Sequence, residues 1–267
     1  MLTNAVSMTG VSKQLINIRI KMLEKLSPHI VLTRYVSFVK LISMLEQGFF
    51  IPKANLFTDN WEGNLHLFNG EKDHFQTEGE LVTAKDWVYV SCWYQDEPES
   101  HAMWNSYGQS DDSLAIQTTN GDLKSAYSAS NFDPMCSYFG EVYYQQPDSA
   151  YNLYDRKKIF SWFSNNNDFS VNGKISNLTY RLYHKHKAFS FENEARLVLV
   201  DNDATLESNN DKAGIHLSVE HSREMIKKII LHPNSSAWFE DTVHKLIKDT
   251  YKLDIPIHKS SLIGSKN

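Results

Sequence analysis

Two glutamates, Glu192 and Glu194, stand two residues apart in the run AFSFENEARLVLV from Ala188 to Val200. Read as a strand, that run places Glu192, Glu194, Arg196 and Val198 on one face and Phe189, Phe191, Asn193, Ala195, Leu197 and Leu199 on the other. Two carboxylates pointing the same way repel, and something must answer the repulsion. One answer is Arg196 on the same face, in a surface charge ladder of small energetic value, which is the commoner arrangement. The other is an E-x-E pair lining a cleft, where carboxylates stabilise a cationic sugar transition state. Arg34 poses a similar choice. In an otherwise apolar and aromatic strand its permanent charge needs a carboxylate, carbonyl groups or a bound phosphate, and a structural ion pair is the usual case. Ser91 lies between Val90 and Cys92, in a strand running into Trp93 and Tyr94, with Trp104 and Tyr107 soon after. Aromatics at that density commonly form core, although an aromatic lip beside a polar cleft is also a surface on which a flat heterocycle stacks.

Other chemistries find less support. His29, His184 and His186 offer no metal-ligand spacing beyond H-x-H, and nothing places a base beside Cys92 to make it a nucleophile. Neither a G-x-G-x-x-G dinucleotide loop nor a G-x-x-x-x-G-K-[ST] phosphate loop is present. The 267 residues, 41% apolar and 22% charged, suffice for a sizeable core and carry a formal charge of −5. So weak a field argues against a dedicated role in coating nucleic acid. No window approaches the roughly twenty apolar residues of a membrane span. The N-terminus lacks the apolar core and cleavage site of a secretory signal, so the expected location is cytoplasmic, with Cys92 and Cys136 reduced.

These residues need elements to hold them. Leu15, Ile18, Met22 and Leu26 recur at helical spacing, which predicts an amphipathic N-terminal extension over 1–28, followed by one α+β domain over 29–267. A strand is expected from His29 to Val36, then a helix capped by Ser37 and closed by Gly48, then a strand at FFIP. Strands are also expected at Asp86–Trp93, Ser113–Thr119, Met135–Gln145 and Ala188–Val200, and in GIHLSVE, MIKKIILHP and IPIHK. Helices are expected at Glu99–Tyr107, Tyr151–Asn165, Gly173–His186 and through SSAWFEDTVHKLIKDTYK. Without a regular βαβ rhythm, this is a mixed, mostly antiparallel arrangement with flanking helices.

With Arg34, Ser91, Glu192 and Glu194 in view, the chain resembles a widespread bacterial domain family of unknown function. The segments are LTRYVSFVKLISMLEQGFFIPKANLFTDNWEG, VSCW, MWNSYG, HKAFSFENEARLVLV and IKKIILHP, in order over roughly Ile30 to Leu262. Members of that family read like LYKYRSF, FNDPFE, MWSHYA and EKEYRL. This chain departs from the pattern at Thr58-Asp59-Asn60-Trp61-Glu62, which has no proline, and at Asn193-Glu194-Ala195-Arg196, which lacks the aromatic between Glu and Arg.

The family in turn resembles the arginine-serine-glutamate class of ADP-ribosyltransferases, which implies a split-sheet α+β fold and NAD as substrate. On that resemblance, Arg34 contacts the dinucleotide phosphate, Ser91 braces the pocket and Glu194 binds the nicotinamide ribose. Glu192 orients or deprotonates the acceptor. Tyr35 joins Arg34 among the NAD-binding residues, Trp93, Tyr94 or Trp104 stacks on nicotinamide, and no metal is required. The implied role is a toxin or anti-phage effector that modifies a protein side chain or a nucleic acid base. An antitoxin or chaperone docks on the N-terminal helix, and no membrane takes part. Lys227, Lys228, Lys245, Lys248 and Lys252 offer a basic patch for RNA, although a solvated face accounts for them more simply. Two alternatives stand beside this one. One is a magnesium-dependent nuclease or phosphodiesterase using Asp59, Glu62, Glu194 and a histidine. The other is a non-catalytic interaction module with an idle E-x-E pair.

Overall fold

A computed structural model describes residues 27–57, 85–96, 99–130, 136–145, 182–201 and 210–262. The predicted N-terminal docking helix, the Tyr151–Asn165 helix and most of the Gly173–His186 helix lie outside these residues. The first strand, β1 (Val31–Ser37), is followed by helix α1 (Phe38–Gln47). Ser37 caps that helix, its Oγ accepting from the Lys40 amide at 3.4 Å. Gly48 ends it at φ 93°, where a Cβ would lie 1.9 Å from the Leu217 carbonyl oxygen, so only glycine fits the close approach. Then come β2 (Phe50–Pro52), β3 (Val88–Gln95), α2 (His101–Tyr107), β4 (Ser113–Thr119), α3 (Asn120–Ala129), β5 (Cys136–Glu141) and β6 (Tyr143–Gln145). After β7 (His184–His186), the 3-10 turn Lys187–Glu192 leads into β8 (Glu194–Val200). The remainder is β9 (Gly214–His216), α4 (Val219–Glu224), β10 (Lys228–Leu231), α5 (Ala237–Lys245) with a π turn over Leu246–Thr250, and β11 (Ile257–Lys259).

Among the described residues seven strands form the main sheet in the order β11-β10-β4-β1-β3-β8-β5, antiparallel throughout except between β10 and β11. The class is therefore α+β with flanking helices. The pairing is uneven at one seam. β1 pairs with β4 along its whole length, and β3 pairs with β8 from Val88 to Tyr94. Between β1 and β3 the register holds only Leu32 opposite Gln95 and Thr33 opposite Tyr94. From Arg34 onward the two strands part, leaving two half-sheets joined at one end.

Alternation along the strands divides the core. Leu32, Val36, Tyr89, Trp93, Ile116, Leu197 and Ile229 face α1, α3 and α5, and form the larger cluster with Leu41, Leu45, Leu123 and Phe239. The opposite face carries two smaller clusters. Tyr35, Tyr94, Ala115 and Ile230 pack under Met103 and Trp104 of α2, while Val88, Val90 and Val198 pack with Leu182 and Tyr183.

Several elements differ from the sequence expectation. His184–His186 pairs in parallel with β6, so the end of the predicted Gly173–His186 helix is a strand; alternation over three residues competed there with helical spacing and tertiary pairing decided it. GIHLSVE is a strand only to His216, because Ser218 accepts from the His221 amide at 3.2 Å and starts a helix. The strand predicted at Met135–Gln145 breaks at Val142 into β5 and β6. Most consequentially, the predicted Ala188–Val200 strand begins only at Glu194. Asn193 sits in the left-handed region at φ 36°, a conformation asparagine tolerates better than most residues, and it ends the 3-10 turn that carries Glu192.

Candidate active site

Glu192 and Glu194 converge, but not by strand alternation. Glu194 is the first residue of β8 and Glu192 the last of the preceding turn, with the left-handed Asn193 folding one back toward the other. The Asn193 side chain secures that turn by donating to the Gln95 carbonyl, while the Gln95 amide donates to the Asn193 carbonyl at 2.9 Å. Lys185 of β7 then bridges the pair, its Nζ donating to Glu192 Oε2 and, at 2.8 Å, to Glu194 Oε1. Arg196 donates from Nε to Glu194 Oε2 at 2.6 Å and from Nη1 to the Leu182 carbonyl at 2.6 Å. Tyr107, at the end of α2, donates to Glu192 Oε1 at 2.6 Å, and the Glu194 amide donates to the Tyr144 hydroxyl at 2.9 Å. The surface charge ladder is thus replaced by a buried network: Glu192 is 2% exposed, Glu194 5% and Arg196 not at all.

This environment drives the two acids apart. Burial pushes Glu192 up, to about 7, and its hydrogen bond with Glu194 and the repulsion between them act the same way, against Lys185 and Tyr107. Burial works against the charge of Glu194 too. There the Arg196 guanidinium, the hydrogen bond from Glu192 and the Lys185 ammonium overcome it, and Glu194 is held well below the usual carboxylate range. One carboxylate stays ionised while its neighbour exchanges a proton near neutrality, the division of roles typical of paired acid chemistry. Burial raises the Tyr107 and Tyr144 hydroxyls, with the nearby carboxylates adding to it, so both remain protonated.

Arg34 and Ser91 lie elsewhere. Arg34 shares its side of β1 with Leu32 and Val36, and Ser91 shares its side of β3 with Tyr89 and Trp93; this is the face of the larger core. Glu194 lies on the other face, beside Tyr94. Arg34 donates from Nη1 to Ser91 Oγ at 3.2 Å, and the same oxygen accepts from Trp93 Nε1 at 2.8 Å. The guanidinium carbon lies 4.9 Å from the centre of the Phe49 ring and 5.9 Å from that of Trp93, whose rings stack at 5.5 Å. Burial lowers its proton affinity, while Cys92 and Glu194 raise it, so the charge of Glu194 is felt across the seam. Among the described residues no carboxylate pairs with Arg34 directly.

Of the aromatic residues named for stacking, Trp93, Tyr94 and Trp104 are buried, as is Tyr35. Tyr35 meets Trp104 edge-on at 4.8 Å and Tyr94 at 6.3 Å, and its hydroxyl accepts from the Ser100 amide at 2.9 Å. All four act as core: Tyr35, Tyr94 and Trp104 hold α2 over the sheet, while Trp93 stacks on Phe49 on the opposite face. Lys185 and Tyr107 complete the site, and the sequence reading assigned neither. Lys185 sits in a segment read as helix, whereas Tyr107 is visible in the run MWNSYG. Asp59 and Glu62, which the magnesium alternative requires, lie outside the described residues. Among the described residues no three or more His, Cys, Asp or Glu side chains gather as metal ligands would.

Among the described residues the stretch from α2 to β8 supplies the side chains of the acid network named above. Residues 103–197 match a family described as "Protein of unknown function (DUF2971)". The match contains Trp104, Tyr107, Lys185, Glu192, Glu194 and Arg196 and leaves out Arg34, Ser91 and Trp93. No curated protein matches the chain. No helix among the described residues is long and apolar enough to cross a membrane.

Proposed function

We propose that the chain is an NAD-consuming ADP-ribosyltransferase acting on a macromolecular acceptor, with Glu192 and Glu194 at its centre. The observation that carries this reading is the polarised acid pair: two adjoining carboxylates, one held ionised and the other raised to about 7. Breaking the bond between ribose C1′ and the nicotinamide nitrogen sends its electron pair to the ring, which loses its positive charge, and leaves an oxocarbenium-like sugar. A fixed anion hydrogen-bonded to the ribose gains strength as that charge develops, which suits Glu194. The acceptor then forms its bond to C1′, and its proton passes to Glu192, whose raised affinity makes it a better base than an ordinary carboxylate. Among the described residues Arg34 has one hydroxyl partner for five donors, and the remaining donors suit the pyrophosphate oxygens. Since it projects from the other face, the dinucleotide would run through the seam where β1 and β3 part.

Incubating the purified chain with NAD labelled in its adenylate half and with host lysate, then digesting separate portions with protease and RNase, tests transfer and the class of acceptor. The expected result is label on a polymer, lost by on the order of a hundredfold or more in Glu194→Gln at unchanged fold. Activity abolished by EDTA with NAD untouched would instead favour the nuclease. One observation favours a second reading, a binding module: every oxygen of the two carboxylates already has a partner and both side chains are buried. In that case Glu194→Gln leaves the biological effect intact and lowers only stability.

A further inference from the structure

Glu192 is 2% exposed and both of its oxygens have partners, so the acid pair is closed in this structure. One of those partners is Tyr107, at the end of α2, a helix of only seven residues. A helix of two turns does not persist on its own backbone hydrogen bonds, and tertiary contacts must keep it in place. At its start Ser100 caps it, Oγ accepting from the Met103 amide at 3.3 Å, while the Ser100 amide donates to the Tyr35 hydroxyl at 2.9 Å. Beside the cap, the Glu99 carboxylate accepts from the Trp104 indole at 3.0 Å.

The other donors to Glu99 come from the far end of the chain. β11 lies at one edge of the main sheet, and the residues just past it reach the start of α2. Ser260 Oγ donates to Glu99 Oε2, the Ser261 amide donates to Oε1 at 2.9 Å, and Ser261 Oγ donates to the same oxygen at 3.2 Å. Leu262 packs into the cluster of Tyr35, Tyr94, Met103 and Trp104. The segment is itself anchored: the Ser260 amide donates to the Leu231 carbonyl at 2.9 Å, and Lys259 Nζ donates to the Ser235 carbonyl at 2.9 Å and to Glu240 at 2.7 Å. Hydrogen bonds to a carboxylate are stronger than neutral ones, yet Ser261 is exposed, so water can replace this contact while the sheet beneath stays paired.

We propose that Ser260–Leu262 is a strap that latches α2 over the acid pair, so that releasing Glu99 moves Tyr107 off Glu192 and opens the site. Trp104 links the two ends of the device, since it holds Glu99 through its indole and accepts from the Gly108 amide, next to Tyr107, at 2.8 Å. The strap favours the closed state by contacts that the open state lacks, which is what a switch of this kind requires. The proposal concerns access to the two carboxylates and holds whatever they act on.

Acetylation of the full chain by an N-hydroxysuccinimide ester, followed site by site by mass spectrometry, compares two buried lysines. Lys185 lies at the acid pair. Lys53, paired with Asp86 at 2.9 Å, faces Tyr89 toward the other end of β3 from Glu194 and is the internal control. Ser260→Ala with Ser261→Ala removes two donors and leaves the bond between Trp104 and Glu99. The rate at Lys185 relative to Lys53 is expected to rise about tenfold in that double variant, and about a hundredfold in Glu99→Ala, which removes the whole acceptor. Should Glu99→Ala not fold, the serine variant carries the test. A ratio that does not rise overturns the proposal, whether both lysines stay protected or both react faster together, because a segment that merely adds stability would expose the two lysines alike.

Discussion

Two cations near the seam of the sheet receive opposite treatment. Arg196 is wholly buried and paired with an anion, with Glu194 on Nε and the Leu182 carbonyl on Nη1. Arg34 sits between Phe49 and Trp93 with the Ser91 hydroxyl as its hydrogen-bond partner and, among the described residues, no carboxylate at hand. A guanidinium presents five donors, and burying one without an anion is costly. Arg196 therefore belongs to the protein's internal balance of charge, and Arg34 is the cation that the proposed pyrophosphate contact would answer. The same contrast separates the acids. Glu194 is locked between two cations, whereas Glu192 has a half-exposed tyrosine as one of its partners.

Breaking the answered cation should have the largest effect. Arg196→Met leaves Glu194 buried beside Lys185 alone, and urea denaturation should register a loss of about 3–5 kcal/mol, the range seen when one member of a buried ion pair is removed. Arg34→Met strands no carboxylate. Its stability should change by less than about 1 kcal/mol, while affinity for a pyrophosphate-bearing ligand, measured by calorimetry, falls at least about tenfold with the loss of charge-assisted hydrogen bonds. Equal destabilisation by the two substitutions would erase the distinction between them. Ser91→Ala removes the acceptor shared by Arg34 and Trp93 and should cost about 1–2 kcal/mol.

The smallest effect expected is a pH dependence. The folded-state pKa of Glu192 is raised from 4.5 to about 7, so the native state binds more protons than the unfolded chain across that window. Stability contributed by Glu192 is therefore present below about pH 4.5 and lost as pH rises toward 7. Glu194 acts in the opposite sense: lowered in the fold, it adds stability above its unfolded pKa that is lost as pH falls into the acid range. Thermal melts of Glu192→Gln should show a flatter profile between pH 5 and 7 than the native chain. An unaltered slope would mean that Glu192 is not the group being titrated.

Much of the scaffold was legible in local pattern. The Ser37 cap, the Gly48 stop, the alternating strands and the α+β class all follow from short-range sterics and from hydrophobic period. The strand assignment over Ala188–Val200 was right about Glu194, Arg196 and Val198 sharing a face, because β8 does alternate, and wrong about Glu192 and the phenylalanines. Phe191 is exposed, and Glu192 reaches its partner through a left-handed asparagine. One residue outside the β region resets the alternation for everything before it.

Sequence alone determined which residues carry charge, which helix caps form, where most of the strands run, and that two acids and an arginine fall within five positions of one another. The tertiary structure decided what those charges do. Lys185 lies on a strand whose partner, β6, is about forty residues earlier in the chain, and Tyr107 lies 85 residues before Glu192. Arg34 and Glu194 were set on opposite faces by the parity of strands paired across a seam. Electrostatic roles depend on burial and on the nearest partners, and both are fixed only once distant segments have packed together.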